Sequence, residues 1–149
     1  MRVLKIEIKE VPQLEETEIV IKCRETSAEV LRMLAALRMF EHKLTGWREG
    51  RTFLLDTREV LYIDTVDKKT FLYQDKEVYE TPLRLYELEE RLSGSDFIRI
   101  SKSAIVNLAR VSSLRPEFGG RLELSLENGE RVLVSRQYAP ALREKIGIA

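Results

Sequence analysis

The sequence predicts an α+β fold that is mainly β, and three observations carry that prediction. Apolar residues recur with period two in many short runs, the pattern of half-buried strands. Turn-forming pairs such as Asp75-Lys76, Gly119-Gly120 and Asn128-Gly129 separate these runs at short intervals. Helical spacing is confined to three stretches, near 26–44, 81–92 and 139–146.

The first 44 residues predict a small strand–strand–helix unit. Leu4, Ile6 and Ile8 alternate with Lys5, Glu7 and Lys9, and Ile19, Ile21 and Cys23 repeat the alternation. Pro12 and an acidic loop separate the two runs. Cys23 continues an apolar face, so it reads as a small core residue. Thr26 or Ser27 caps the helix, with Glu29 three residues after Thr26 as in a capping box. Val30, Met33, Leu37, Phe40 and Leu44 then form a stripe at 3-4-3-4 spacing. The expectation is that this stripe covers the strands, while Leu31, Ala35 and Met39 meet a second copy of the chain.

Gly46 and Gly50 flank Trp47 and mark a joint, so residues 45–149 form the second unit. Strands are predicted at 51–55, 60–64, 70–74, 77–81, 97–100, 111–114, 122–126 and 131–134. Asp75-Lys76 and Asn128-Gly129 make hairpins of their neighbours. Thr81-Pro82 predicts a helix start, with Leu83, Tyr86, Leu88 and Leu92 as its apolar face. Asn107 follows Ala104-Ile105-Val106 and is assigned to satisfying buried backbone at a strand end. A short helix over 139–146 closes the chain.

Composition narrows the function. A hydrophobic fraction of 44% supports a core, and no run approaches the ~20 apolar residues of a membrane span. The N-terminus lacks an apolar signal segment, so a soluble, cytoplasmic protein is expected. One His and one Cys supply no catalytic constellation, no disulfide and no metal site. His42 reads as a solvated helix residue beside Glu41 and Lys43. Neither a phosphate-binding loop nor any other cofactor motif is present, and an enzyme is not expected.

Charge is balanced at 25 basic and 25 acidic residues, which excludes a simple polycation. The distribution is less even. Residues 97–116 hold Arg99, Lys102, Arg110 and Arg115 with no acid, and 131–143 hold Arg131, Arg136 and Arg143 with none. Residues 77–90 hold five acids and one arginine. Within the basic stretches, Arg99, Ser101, Lys102 and Ser103, and again Ser135, Arg136 and Gln137, mix cations with short polar groups. Such sets suit DNA, because arginine reads guanine bidentately, glutamine reads adenine, and serine or lysine holds phosphates.

These residues resemble a known family. Phe97-Ile98-Arg99-Ile100-Ser101-Lys102-Ser103-Ala104-Ile105-Val106-Asn107 is similar to the most recognisable stretch of the LytTR DNA-binding domain. Val132 to Tyr138 resembles its closing strand and following loop, Val60 to Asp64 its early strand, and Leu83 to Leu92 its short helix. The resemblance runs from about Leu44 to Gly147. It implies an elongated β–β–β sandwich of small antiparallel sheets that binds double-stranded DNA at repeated promoter sites through loops. Arg136 would then enter one major groove, Lys102 with Arg99, Ser101 and Ser103 would lie over the minor groove, and the Lys68-Lys69-Thr70 turn would reach the next major groove. Ser101 and Thr70 stand where many members carry histidine, so the preferred base sequence does not transfer. The first 44 residues are too short for a receiver domain and resemble the leader of stand-alone regulators. That likeness implies a small membrane-protein inhibitor as partner, and the regulator is expected to bind its repeated sites as a homodimer or as paired monomers. The competing reading is a protein-interaction module that has lost DNA binding.

Overall fold

The computed structural model describes residues 4–148. Two compact units divide the chain, Met1–Leu37 and Arg38–Ala149.

The first unit departs from expectation. Residues 4–27 form no strand. Ile6, Ile8, Ile19 and Val20 are exposed, as is Cys23, which is not a core residue. The physical reason is that two short alternating runs have no third strand or sheet to bury their apolar face, and an isolated hairpin is marginal. The helix does form, as α1 (Ala28–Glu41). Ser27 caps it, its Oγ accepting the Val30 N–H at 3.4 Å. Val30 is buried, but Phe40 is exposed and Leu44 lies beyond the helix, so the expected five-residue stripe breaks at its C-terminal end. Leu31, Ala35 and Met39 are exposed along one side of α1. His42 sits just past the helix and is exposed.

Ten strands follow in the second unit: β1 (Lys43–Arg48), β2 (Arg51–Asp56), β3 (Tyr62–Val66), β4 (Lys69–Tyr73), β5 (Val78–Thr81), β6 (Phe97–Ser101), β7 (Ala104–Asn107), β8 (Val111–Pro116), β9 (Leu122–Leu126) and β10 (Arg131–Val134). Two short helices, α2 (Leu85–Arg91) and α3 (Ala139–Ile146), complete it. All strand pairs are antiparallel, giving a seven-stranded sheet of order β2-β1-β5-β4-β3-β7-β6 and a three-stranded sheet of order β10-β9-β8. The mainly β, antiparallel fold is as the sequence predicts. β1 and β7 are absent from the predicted set, although the sequence places Asn107 at a strand end, and for β1 Gly46 is part of the reason. It reads as a joint in sequence, yet a Cβ there would stand 2.9 Å from the Tyr79 Cβ and 3.0 Å from Leu55 Cδ1, so only glycine lets β1 lie this close. The start of α2 also moves. Thr81 stays in β5, paired with Thr70, and the helix begins at Leu85, where the Glu87 carboxylate accepts the Arg84 N–H at 3.1 Å. Leu85 replaces Tyr86 on the buried face.

Strands β3 and β7 are covered on both faces. Ile63 and Ile105 join Leu85 and Leu88 of α2, and Leu92 at its C-terminal cap, in one cluster with Leu44, Leu55, Leu72 and Tyr79. Leu61 and Val106 face the other way, into a second cluster with Ile100, Leu122, Leu124, Leu126, Val134 and Leu142 of α3. The near-continuous apolar run 60–63 is what a strand buried on both faces requires. Asn107 holds this layer at its end, donating from Nδ2 to the Val60 carbonyl at 2.9 Å while its Oδ1 accepts the Ala109 N–H at 3.1 Å. Among the described residues, no helix is long and apolar enough to cross a membrane.

Candidate nucleic-acid interface

Topology gathers three loops at one end of the Arg38–Ala149 unit. β3 runs toward this end and turns into β4 at Asp67-Lys68. β7 is antiparallel to β3, with Ala104 opposite Asp64, so the β6–β7 turn at Lys102-Ser103 lies beside the first turn. The Thr65 N–H donates to the Ser103 carbonyl at 2.9 Å and ties the two together. β10 ends at the same place, because the Ser135 N–H donates to the Ile100 carbonyl at 2.8 Å. The loop Ser135-Arg136-Gln137 is thereby fixed next to the β6–β7 turn.

Each loop has its own local cause. Asp67 and Lys68 have φ values of 50° and 67°, the left-handed pair that a two-residue hairpin turn needs. Neither is glycine, so this turn holds strained backbone. Lys68 and Lys69 are exposed. Thr70 corrects the sequence reading: it is buried within β4, between Thr65 and Thr81, and offers no side chain to the surface.

The β6–β7 turn is held by Arg99. Its Nε donates to the Ser101 carbonyl at 2.7 Å, one terminal nitrogen donates to the Lys102 carbonyl at 2.5 Å, and the other pairs with Glu89 at 3.2 Å. Arg99 is thus committed to bracing the turn against α2 rather than free at the surface, which corrects its expected role as a groove residue. Ser101 Oγ accepts the Ser103 N–H at 3.2 Å, and the register slips between Arg99 and Ser101. A bulge of this kind re-aims the side chains that follow it. Lys102 and Ser103 remain exposed at the tip.

In the third loop the Ser135 carbonyl accepts the N–H groups of Tyr138 and Ala139, both at 3.0 Å, which leads the chain into α3. Ser135 Oγ is buried with no hydrogen-bond partner. Arg136 and Gln137 are exposed. The stem of Arg136 runs along Gly120, where a Cβ would lie 3.2 Å from the arginine Cγ. Sequence reading did not single out this contact, because the two residues are sixteen positions apart.

The acid-free stretches are not acid-free in space. Arg110 pairs with Glu127 at 3.1 Å and Glu59 at 3.6 Å, Arg115 with Glu123 and Glu117, and Arg131 with Glu123. Among the described residues, Lys68, Lys69, Lys102 and Arg136 make no ion pair. Four uncompensated cations therefore stand on the three gathered loops. At the far end of the β3–β4 hairpin, Tyr62 and Tyr73 stack at 4.2 Å, and burial pushes the Tyr73 hydroxyl up to about 12. Burial also raises Asp64, with the Tyr73 hydroxyl opposing part of that rise. The Tyr73 hydroxyl therefore stays neutral at ordinary pH.

The Arg38–Ala149 unit is thus mainly β and carries exposed cations on or beside three loops gathered at one end. The family model described as the LytTr DNA-binding domain matches residues 50–147. The chain belongs to that family. It is 28% identical over 101 residues to the sensory transduction protein LytT of Enterococcus faecalis, covering 68% of this chain and 42% of that protein. An HTH-type transcriptional regulator of Staphylococcus aureus is 30% identical over 107 residues, 72% of each chain. The LytTr DNA-binding domain of a Bacillus cereus protein described as a methyl-accepting/DNA response regulator superposes with a TM-score of 0.69 at 30% identity. That match covers 72% of this chain and 98% of the other. The chain thus spans less than half the length of the LytT proteins it matches. Despite the staphylococcal name, α2 and α3 here are separated by five strands and do not form a helix–turn–helix pair.

Proposed function

We propose that this chain is a bacterial transcription regulator that binds duplex DNA sequence-specifically through three loops. The observation that carries this reading is the set of four unpaired cations on turns tied together by the Thr65–Ser103 and Ser135–Ile100 hydrogen bonds. Arg136 reads bases in one major groove, and Gln137 and Ser135 support it there. Lys102 and Ser103 lie over the neighbouring minor groove, with Ser101 and Arg99 shaping their turn. Lys68 and Lys69 reach the backbone of the next major groove. The two hairpin tips are two strand spacings apart, about 10 Å. Neighbouring grooves on one side of B-DNA lie about 17 Å apart, and outstretched lysines close that gap.

Residues 45–149 form the DNA-binding part in this reading and residues 1–44 the regulatory part. Leu31, Ala35 and Met39, exposed on one side of α1, support a homodimer on repeated sites. The reading puts the chain in the cytoplasm with its DNA, and a small membrane protein is the inhibitor the family likeness implies. Co-expression with a small membrane protein encoded beside this chain tests that last point, since failure to retain the chain in the membrane fraction removes the partner.

The main test is selection of duplexes from random DNA. Arg136→Ala should weaken the selected site by about 1–3 kcal/mol and relax base preference locally. An unchanged preference would overturn the role of Arg136.

A further inference from the structure

A fourth loop reaches the same end of the domain. Pro116 of β8 and Val134 of β10 both lie opposite Leu122 of β9, so residues 117–121 leave the three-stranded sheet beside the start of the Ser135–Gln137 loop. The Glu117 N–H donates to the Arg121 carbonyl at 2.8 Å and closes the base of this loop. Gly119 and Gly120, with φ values of 80° and 81°, turn the chain sharply behind Phe118. Phe118 is 89% exposed, more than any other large apolar side chain described in the Arg38–Ala149 unit.

A lone exposed apolar residue is ordinary on a protein surface. Its position makes this one different. The stem of Arg136 lies against Gly120 in the same loop, at the 3.2 Å separation given above. Arg121 is exposed and donates from Nε to the Phe118 carbonyl at 3.1 Å, which leaves its two terminal nitrogens without a hydrogen bond among the described residues. An apolar ring and a cation therefore flank the arginine that reads bases.

We infer that the β8–β9 loop is a fourth DNA contact. Phe118 lies against the sugar faces and base edges that border the groove entered by Arg136, and Arg121 holds the adjacent phosphate. Such a ring finds apolar partners on DNA in thymine methyl groups and deoxyribose carbons. The left-handed glycines serve this arrangement twice, raising the ring and letting the Arg136 stem pass. The inference rests on the DNA-binding reading above and extends its footprint outward by one flank.

The test uses the full chain and duplexes that it selects from random DNA. Phe118→Ala should weaken binding about fivefold. Its thermal midpoint should stay unchanged, since the ring is exposed. The protected region should shorten on the flank beyond the bases lost in Arg136→Ala. A photo-crosslinking phenylalanine analogue at position 118 should attach to nucleotides of that flank. Unchanged affinity with no DNA crosslink, or a crosslink to a second copy of the chain, would overturn the fourth contact while Arg136→Ala still weakened binding. If Arg136→Ala were equally silent, the three-loop reading itself would fall.

Discussion

Arg99 shows how one side chain decides what the others can do. Its guanidinium makes two hydrogen bonds to turn carbonyls and one ion pair to α2, so the fork geometry holds the β6–β7 tip in place. Lysine carries the same charge but has no planar fork. Arg99→Lys should therefore leave net charge unchanged yet loosen the Lys102 turn. The expected outcome is faster amide exchange at Lys102 and Ser103, with DNA affinity reduced about threefold to tenfold. If affinity were retained, Arg99 would be only one charge among many. Asp56 acts on the same scale far from the interface. The Arg58 guanidinium bonded to it holds its carboxyl down to about 2, so its stabilising effect is complete above the usual 3.8 and fades as pH falls toward 2.

At the scale of elements, the β3–β4 hairpin opposes stability to function. A two-residue turn of this type favours glycine or asparagine, yet Asp67-Lys68 occupies it with both residues at positive φ. A left-handed lysine costs about 1–2 kcal/mol. Lys68→Gly should raise the unfolding free energy by about 1 kcal/mol while lowering the salt slope of DNA binding by about 0.9. Denaturant titration and binding at several salt concentrations read the two effects separately. A substitution that left the salt slope unchanged would remove Lys68 from the interface. The same hairpin explains Thr70, which register with Thr65 and Thr81 turns inward although Lys69 beside it is exposed and Phe71 is half-buried.

At the scale of the whole DNA-binding unit, the two ends differ in how their charges are paired. The β4–β5 and β9–β10 turns and the segment before β3 lie opposite the cationic loops, and there Glu77 pairs with Arg48 while Glu127 and Glu59 pair with Arg110. A neutral chain of this kind attracts DNA weakly in bulk and orients it at one end. With four unpaired cations engaged, log K should fall against log salt with a slope of about −3.6 for one copy of the chain. A dimer on two half-sites should double it, to about −7. Sedimentation of the free chain separates the two cases. A monomer at all concentrations would limit any pairing through Leu31, Ala35 and Met39 to DNA-bound copies.

What was legible in the sequence was local. β9, β10 and α3 lie where their periodicity puts them, because each buries one face against neighbours a few residues away. The motif 97–107 was enough to indicate the family; Lys68, Lys102 and Arg136 are exposed on loops, and Lys69 is exposed at the first position of β4. The strands expected within residues 4–23 fail because alternation records which face could be buried, not whether anything covers it. The tertiary structure alone decided which cations stay free, since Glu89 of α2 reaches Arg99, and Glu123 and Glu127 reach Arg115, Arg131 and Arg110, through contacts that linear charge runs do not record. It also decided that residues as distant as Lys68, Lys102, Phe118 and Arg136 share one end, because antiparallel register brings alternate turns to the same side of a sheet.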